Sequence, residues 1–244
     1  LADLDHPEVH YPRTGLKTVV CQVRFNPILK IGQQLPAEFQ DLVRHAFPQF
    51  FQEESAEFRI APGALEAVPS TSLVWRFRSD DGSWTAGLAS GSLSLETTQY
   101  RDFGDFESRF RIVEQALESV YGLDHYVRVG LRYINIFTPD EFPGRWSDKF
   151  NPTLVGPMAD PILGSKVRES RQAFILAHED WTIRVSHGTE NDHYRLDIDH
   201  ATEVRVDAKD VLERLRDFNG RIYQVFRWAI SDELRGEMEG KAHE

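Results

Sequence analysis

The chain has 244 residues and a formal net charge of −11, from 28 lysines and arginines against 39 aspartates and glutamates. This length is sufficient to bury a core without disulfides or metal, and the acidic excess repels polyanions, which disfavours a nucleic-acid partner. The single cysteine, Cys21, excludes an intrachain disulfide and a cysteine zinc cage. Because neither a run of about 18 apolar residues nor a signal-peptide pattern occurs, we expect a cytoplasmic protein without a membrane span.

The first half of the chain predicts strands and two helices. Alternating apolar and polar residues predict strands over 19–25, 73–78, 84–90, 93–99 and 126–137. Turn sequences at 80–82 and 90–92 indicate tight antiparallel connections. Apolar residues at helical spacing predict one helix from Leu35 to Pro48 and a second that Asp105 caps and Gly122 ends.

The second half also places strands before a helix. Five prolines among glycines over 138–164 indicate a connecting loop. Strands are predicted over 172–177, 181–186 and 193–200, and a long helix runs from Asp207 to about Arg235. The predicted organisation is an N-terminal α+β half, 1–137, the Pro/Gly-rich connecting loop, 138–164, and a C-terminal half, 165–244, packed together as one compact domain.

The order of these elements predicts the fold class. Strands that run into capped helices favour an α+β fold with mainly antiparallel sheets and long helices packed on one face, and they argue against a parallel nucleotide-binding sheet. Trp84 and Trp181 are each followed by threonine at the start of a hairpin. A weak duplication of a strands-then-helix unit would explain this similarity, and coincidence is the alternative.

Three segments resemble a sporadically distributed, uncharacterised bacterial protein family of similar length. They are the strand with its exit from Val20 to Leu29, the strand from Val129 to Asn135, and the ending from Phe226 to Arg235. The family has no established activity, so the resemblance implies no functional residue. It implies a bacterial intracellular accessory protein, and its patchy distribution is associated with defence or mobile-element gene neighbourhoods.

Motifs of familiar enzymes do not occur in the sequence. It contains no phosphate-binding glycine loop, nucleophile elbow, zinc-binding helix or calcium loop. We therefore predict no cofactor. Whether the protein is catalytic at all stays open at this point.

Arginines on predicted strands form a candidate anion-binding floor, which would consist of Arg24, Arg76, Arg128 and Arg132. Arg128 and Arg132 share one face of their strand because their separation is even, and Gly130 between them leaves room for a ligand. Guanidinium groups bind phosphates and carboxylates with two parallel hydrogen bonds. The alternative is internal pairing with glutamates and aspartates of the same chain.

Histidines and aspartates near the last predicted hairpin are weak metal candidates. His187, His193 and Asp197 offer ligand types that zinc accepts. Polar residues alternate there with Tyr194 and Leu196, as on the solvated side of an amphipathic strand. A metal site is therefore not favoured.

The last predicted helix carries aromatic residues beside its apolar stripe. Tyr223 and Trp228 fall off the stripe, and with Leu234 they form a candidate surface for a protein partner or a homodimer. The alternative is that the loop 138–164 covers them in the same chain.

These observations predict a non-enzymatic cytoplasmic binding or regulatory protein that recognises a protein partner through the long helix and a sheet edge. The alternative function is binding of a small anion or nucleotide, with or without catalysis, in a sheet-lined arginine pocket.

Overall fold

A computed structural model describes Leu4 and residues 6–59 and 68–240, with the side chains of 55–59 and 68–72 left out. The strands are β1 Leu16–Arg24, β2 Gln49–Arg59, β3 Val68–Arg78, β4 Trp84–Ala89, β5 Ser92–Thr97, β6 His125–Tyr126, β7 Arg128–Phe137, β8 Ser170–Ala177, β9 Trp181–Glu190, β10 His193–Thr202 and β11 Val206–Asp207. The helices are α1 Leu29–Gln33, α2 Ala37–Val43, α3 Phe103–Tyr121, α4 Trp146–Lys149, α5 Pro152–Val155, α6 Val211–Ala229 and α7 Asp232–Met238.

Nine of the strands form one sheet in the order β2-β3-β4-β5-β1-β7-β10-β9-β8, and β6 pairs with β11. The predicted α+β class with a mainly antiparallel sheet is confirmed. Strand β2 was not predicted, because its apolar pair Phe50 and Phe51 is followed by four polar residues and does not alternate. The chain divides into two compact units built from separate segments, and the predicted division into halves stays a prediction.

One unit comprises Val20–Val129 and Val204–Leu212. Alternation along β3 and β4 places Trp75, Phe77 and Trp84 on the buried face. Helix α2 packs on this face through Phe39, whose ring centroid lies 5.1 Å from that of Phe77. Helix α3 packs through Phe106, 5.7 Å from Trp84. Four members of the predicted apolar stripe, Phe106, Phe110, Val113 and Leu117, are fully buried, whereas the fifth, Val120, is half-buried.

The predicted start of α3 was wrong by one helical turn. The capping residue is Asp102, whose side chain accepts a hydrogen bond of 2.9 Å from the backbone N–H of Asp105. Both aspartates precede the apolar stripe, and only the backbone conformation distinguishes the cap from the first turn. The predicted end is confirmed: Gly122 has a φ of 66° and its N–H donates to Glu118.

The other unit comprises Leu1–Val19, Gly130–Glu203 and Glu213–Glu244. Its strands pair antiparallel in the order β7-β10-β9-β8. Helix α6 covers one face, where Phe218 stacks on His200 with ring centroids 3.8 Å apart. Tyr133 of β7 also donates a hydrogen bond to Asn219 of this helix. The predicted helix stripe is confirmed by the burial of Leu215, Phe218, Ile222 and Val225.

The C-terminal helix is shorter than predicted. It begins at Val211 and ends at Ala229, and a separate helix, α7, follows after a break at residues 230–231. Ser231 caps α7 by accepting a hydrogen bond from the N–H of Leu234, and its own N–H donates to Lys149. The apolar spacing continues through the break, which is why periodicity alone did not show it.

The proline-rich segment 138–164 contains the short helices α4 and α5 and one 3-10 turn, and a second 3-10 turn begins at Gly164; the sequence did not predict these elements. It supplies Lys149, whose side chain is 0% exposed. The Lys149 ammonium lies 2.6 Å from a carboxylate oxygen of Glu237 in α7, a residue only 6% exposed, and 3.6 Å from Glu233. A buried lysine must be paired, so this ion pair joins the segment to the C-terminal helix.

Replacing Lys149 by alanine is expected to lower the free energy of unfolding by about 3–5 kcal/mol, because Glu237 would remain buried without its cation. Urea unfolding followed by circular dichroism measures this loss. The matched control is Glu233→Gln, which removes the half-exposed carboxylate and should cost less than about 1 kcal/mol. Equal losses in the two variants would contradict the burial argument.

Candidate functional site

Two of the four arginines of the predicted anion-binding floor are bonded to a carboxylate of the same chain. Arg76 donates from Nε to a Glu53 carboxylate oxygen at 2.6 Å, across β3 and β2. Arg24 is exposed and donates to the Gln22 side chain at 3.0 Å. Arg132 is bound to Asp197. Internal pairing, the alternative to anion binding, therefore applies to Arg76 and Arg132.

Strand β7 places its residues as the sequence predicted. Val129 and Leu131 are fully buried, whereas Arg132 is exposed on the opposite face. Arg128 is half-buried and shares the parity of Arg132. The prediction that the two arginines share one face of a central strand is confirmed.

Asp197 is the centre of a charge cluster on the face of the sheet that α6 does not cover. It is 4% exposed and accepts hydrogen bonds from Arg132 Nε at 2.8 Å and Arg132 Nη2 at 2.7 Å. Arg195 Nη2 adds a third hydrogen bond at 2.7 Å. Burial raises the pKa of Asp197, but the two guanidinium groups outweigh burial and hold this pKa below its usual value.

The metal candidates are divided by the sheet. His187 pairs in register with Leu196, lies on the helix-covered face and is 5% exposed, with Nδ1 3.2 Å from the Tyr194 hydroxyl. His193 and Asp197 have the opposite parity on β10, so their side chains lie on the other face. Burial lowers the pKa of His187 and keeps it neutral. The structure therefore does not bring His187 together with His193 and Asp197. No group of three or more candidate ligands within the described ranges is placed to hold a metal ion.

Trp181 lines an open cleft of about 600 Å³ beside α6, which the sequence did not indicate. His178 stacks on its indole ring, with centroids 5.3 Å apart, and the guanidinium of Arg221 lies 4.6 Å from the same ring. Arg221 also donates to Asp217 at 2.9 Å. Two arginines and two aspartates line this cleft, so their charges cancel and favour neither an anion nor a cation as ligand.

His200 lies beneath Trp181, with ring centroids 5.2 Å apart, and is fully buried. Burial and the charge of Arg221 lower the pKa of His200 to about 3. Its imidazole is therefore neutral at physiological pH and serves as a packing residue between Trp181 and Phe218.

The predicted partner surface on the C-terminal helices contacts other parts of its own chain. The Tyr223 hydroxyl donates to the carbonyl of Pro7 at 2.9 Å and accepts from the N–H of Val9 at 2.8 Å. Gln224 exchanges two hydrogen bonds with the backbone of His6. The N-terminal segment thus lies along α6, an arrangement that sequence reasoning missed.

The other two members of that surface are also engaged within the unit. Trp228 packs edge-on against Phe174, with ring centroids 6.2 Å apart, and its carbonyl accepts a hydrogen bond from Asn151 of the proline-rich segment. Leu234 is 0% exposed, so its side chain is not available for a contact. A partner contact at these residues stays a prediction, and Leu234 takes no direct part in it.

Strand β8 offers an open edge. The N–H of His178 donates to the carbonyl of Trp181 at 2.9 Å, which makes these two residues a hydrogen-bonded pair at the end of the β8–β9 ladder. Such pairs alternate along an antiparallel ladder. The backbone groups of every second residue therefore point away from the sheet. These residues are Arg171, Ala173, Ile175 and Ala177.

The outward groups of β8 have no backbone partner among the residues that the structure describes. The side chains of the same four residues are exposed on the uncovered face of the sheet, and Ile175 is 51% exposed. The strand contains no proline and only one charged residue, Arg171. By contrast, the edge strand β2 carries the exposed Glu53 and Glu54, and charges of this kind discourage pairing with another strand.

No protein-family model matches the chain, and no curated protein matches it. The resemblance to a bacterial family stays a prediction. Among the helices of the described residues, none combines the length and apolar composition needed to cross a membrane.

Replacing Asp197 by asparagine is expected to lower the free energy of unfolding at pH 7 by about 1–3 kcal/mol, since two charged hydrogen-bonding partners lose their anion. The folded pKa of Asp197 is depressed, so its contribution is present above the unfolded value of about 3.9 and is lost as the pH falls through the folded pKa. The variant should therefore lose less stability than the wild type between about pH 5 and pH 2.

Chemical denaturation at a series of pH values measures this difference. Asp192→Asn is the control, because Asp192 lies exposed in the turn between β9 and β10 and its left-handed backbone accepts asparagine. If the pH profile of Asp197→Asn coincides with that of the wild type, the carboxylate is not the group that the arginines stabilise.

Proposed function

We propose that this protein is a non-enzymatic binding protein of the bacterial cytoplasm that recognises a protein partner by adding a strand to β8. The observation that carries the proposal is the open edge of β8, where the outward N–H and C=O groups of four residues have no backbone partner among the described residues and lie beside exposed apolar side chains. A defence or mobile-element context is the setting that the resemblance implies.

Strand addition supplies both affinity and selectivity. Each backbone hydrogen bond in a completed ladder contributes about 0.5–1.5 kcal/mol, so several of them suffice for a specific complex. Selectivity comes from the alternate side chains, and here Ala173, Ile175 and Ala177 form an apolar row. A fitting partner is an extended segment with small or apolar residues at every second position.

Binding of a small anion or nucleotide through Arg24, Arg76, Arg128 and Arg132 is the alternative function. Arg76 and Arg132 are each bonded to a carboxylate, so an anion would compete with Glu53 or Asp197 for them. Anion binding therefore has less support than strand addition.

Ala173→Pro tests the proposal, because proline removes an outward N–H without breaking the ladder to β9, and edge strands tolerate it. Affinity purification of the tagged full chain from its host is expected to recover a partner with the wild type and to lose it with this variant. Ala173→Thr is the matched control, since threonine keeps the N–H and favours strands. Recovery of the same partner by Ala173→Pro, with unchanged thermal unfolding, would count against strand addition.

A further inference from the structure

We infer that the cleft beside Trp181 binds a small zwitterion with an aromatic ring, namely a free aromatic amino acid. The outward backbone groups of β8 take no part in this cleft, so the inference is independent of strand addition.

Two elements of one unit form the walls of the cleft. The first wall is one face of α6, because its residues recur at spacings of three and four: Arg214, Asp217, Gly220, Arg221 and Gln224. The second wall is the turn between β8 and β9, which contributes Asp180 and the rings of His178 and Trp181. A volume of about 600 Å³ is sufficient for a small molecule.

One positive and one negative group of the cleft remain available to a ligand. Arg221 and Asp217 compensate each other, since the guanidinium donates to the carboxylate at 2.9 Å. The side chains of Arg214 and Asp180 form no hydrogen bond or ion pair within the part of the chain that the structure describes. Arg214 lies on the helix wall and Asp180 on the turn wall. A ligand between the walls therefore meets both charges, and a zwitterion pairs with both.

Aromatic rings supply the apolar part of the site. His178 is exposed and stacks on the half-buried Trp181, with an angle of 7° between the ring planes. A ligand ring that packs against these rings gains more than the area it buries. An aromatic amino acid combines such a ring with an ammonium and a carboxylate, which is the set of groups that this cleft accommodates.

The other unit contains the same arrangement of side chains in a closed form. Trp84 begins β4 as Trp181 begins β9, and the guanidinium of Arg109 lies 4.6 Å from the Trp84 ring. Arg109 is also bonded to Asp105, four residues earlier on its helix, as in the pair on α6. Trp84 is only 4% exposed, however. This arrangement can therefore pack without an opening, and the opening at Trp181 is specific to its unit.

Gly220 lines the cleft although the fold does not require glycine there. Its φ is not positive, and a Cβ at this position would meet no atom within 4 Å. Glycine in a helix interior is less favourable than any residue except proline. Its presence in the middle of α6 keeps space open in the cleft, which a ligand needs and the helix does not.

Isothermal titration calorimetry with three compounds that share a benzene ring tests the ligand class. L-phenylalanine carries both charges, 3-phenylpropanoate lacks the ammonium, and 2-phenylethylamine lacks the carboxylate. The full chain is expected to bind L-phenylalanine about tenfold more tightly than either of the other two. L-alanine has both charges but no ring, and it should also bind about tenfold more weakly than L-phenylalanine.

Two variants assign the charged groups. Arg214→Gln should weaken the binding of L-phenylalanine about tenfold and leave that of 2-phenylethylamine unchanged, because the amine has no carboxylate to lose its partner. Asp180→Asn should weaken L-phenylalanine to the same extent without weakening 3-phenylpropanoate. Circular dichroism verifies that both variants are folded.

Gly220→Leu fills the cleft and should abolish the binding of L-phenylalanine without lowering the melting temperature, since leucine favours helices. The matched control is Gly236→Leu. Gly236 lies inside α7, has the same open space around its Cβ and does not line the cleft, so this variant should bind as the wild type does. The inference is overturned if the wild type binds L-phenylalanine no more tightly than the singly charged compounds, or if Gly220→Leu retains the wild-type affinity.

Discussion

The alternation of side chains along β7, β10, β9 and β8 is the constraint on which the rest of this unit depends. Side chains of one parity face α6. There His200 packs between Trp181 of the sheet and Phe218 of the helix. The other parity lies on the face that α6 does not cover, so the charged groups of these strands must be paired or hydrated there. The same constraint separates His187 from Asp197 and removes the metal site that their proximity in sequence suggested.

Charge pairing explains how an acidic chain accommodates arginines on its strands. Asp197 is nearly buried and would be costly to desolvate alone, yet Arg132 and Arg195 hold it with three hydrogen bonds. The buried charges of Lys149 and Glu237 likewise compensate each other by forming an ion pair. Much of the potential for binding external anions is thereby used inside the protein. The outward backbone groups of β8, by contrast, have no backbone partner among the residues that the structure describes.

The sequence predicted elements whose signal is periodic and missed those whose signal is not. Alternation located eight of the nine strands of the main sheet well enough to place Val129 and Leu131 in the core, but β2 lacks it. The break after Ala229 depends on a single capping residue, Ser231, within an uninterrupted apolar spacing. At the candidate site, the sequence indicated Asp197 as a possible ligand. Its hydrogen bonds to Arg132 could not be predicted, because they depend on the register between β10 and β7. Likewise, the contact of Tyr223 with Pro7 joins positions more than two hundred residues apart, which no local pattern encodes.

The edge at β8 is held in place by a local feature of β9. Gly188 lies opposite Arg171, has a φ of 144°, and a Cβ there would meet the Ser170 carbonyl oxygen at 1.7 Å. Any other residue would push the start of β8 away from the sheet, so glycine is what allows the close approach. The edge strand β8 thus stays in full register with β9, while its outer side is apolar and carries few of the charges that discourage pairing with another strand. A strand held in this way is a rigid template, and a rigid template loses little entropy when a second strand pairs with it.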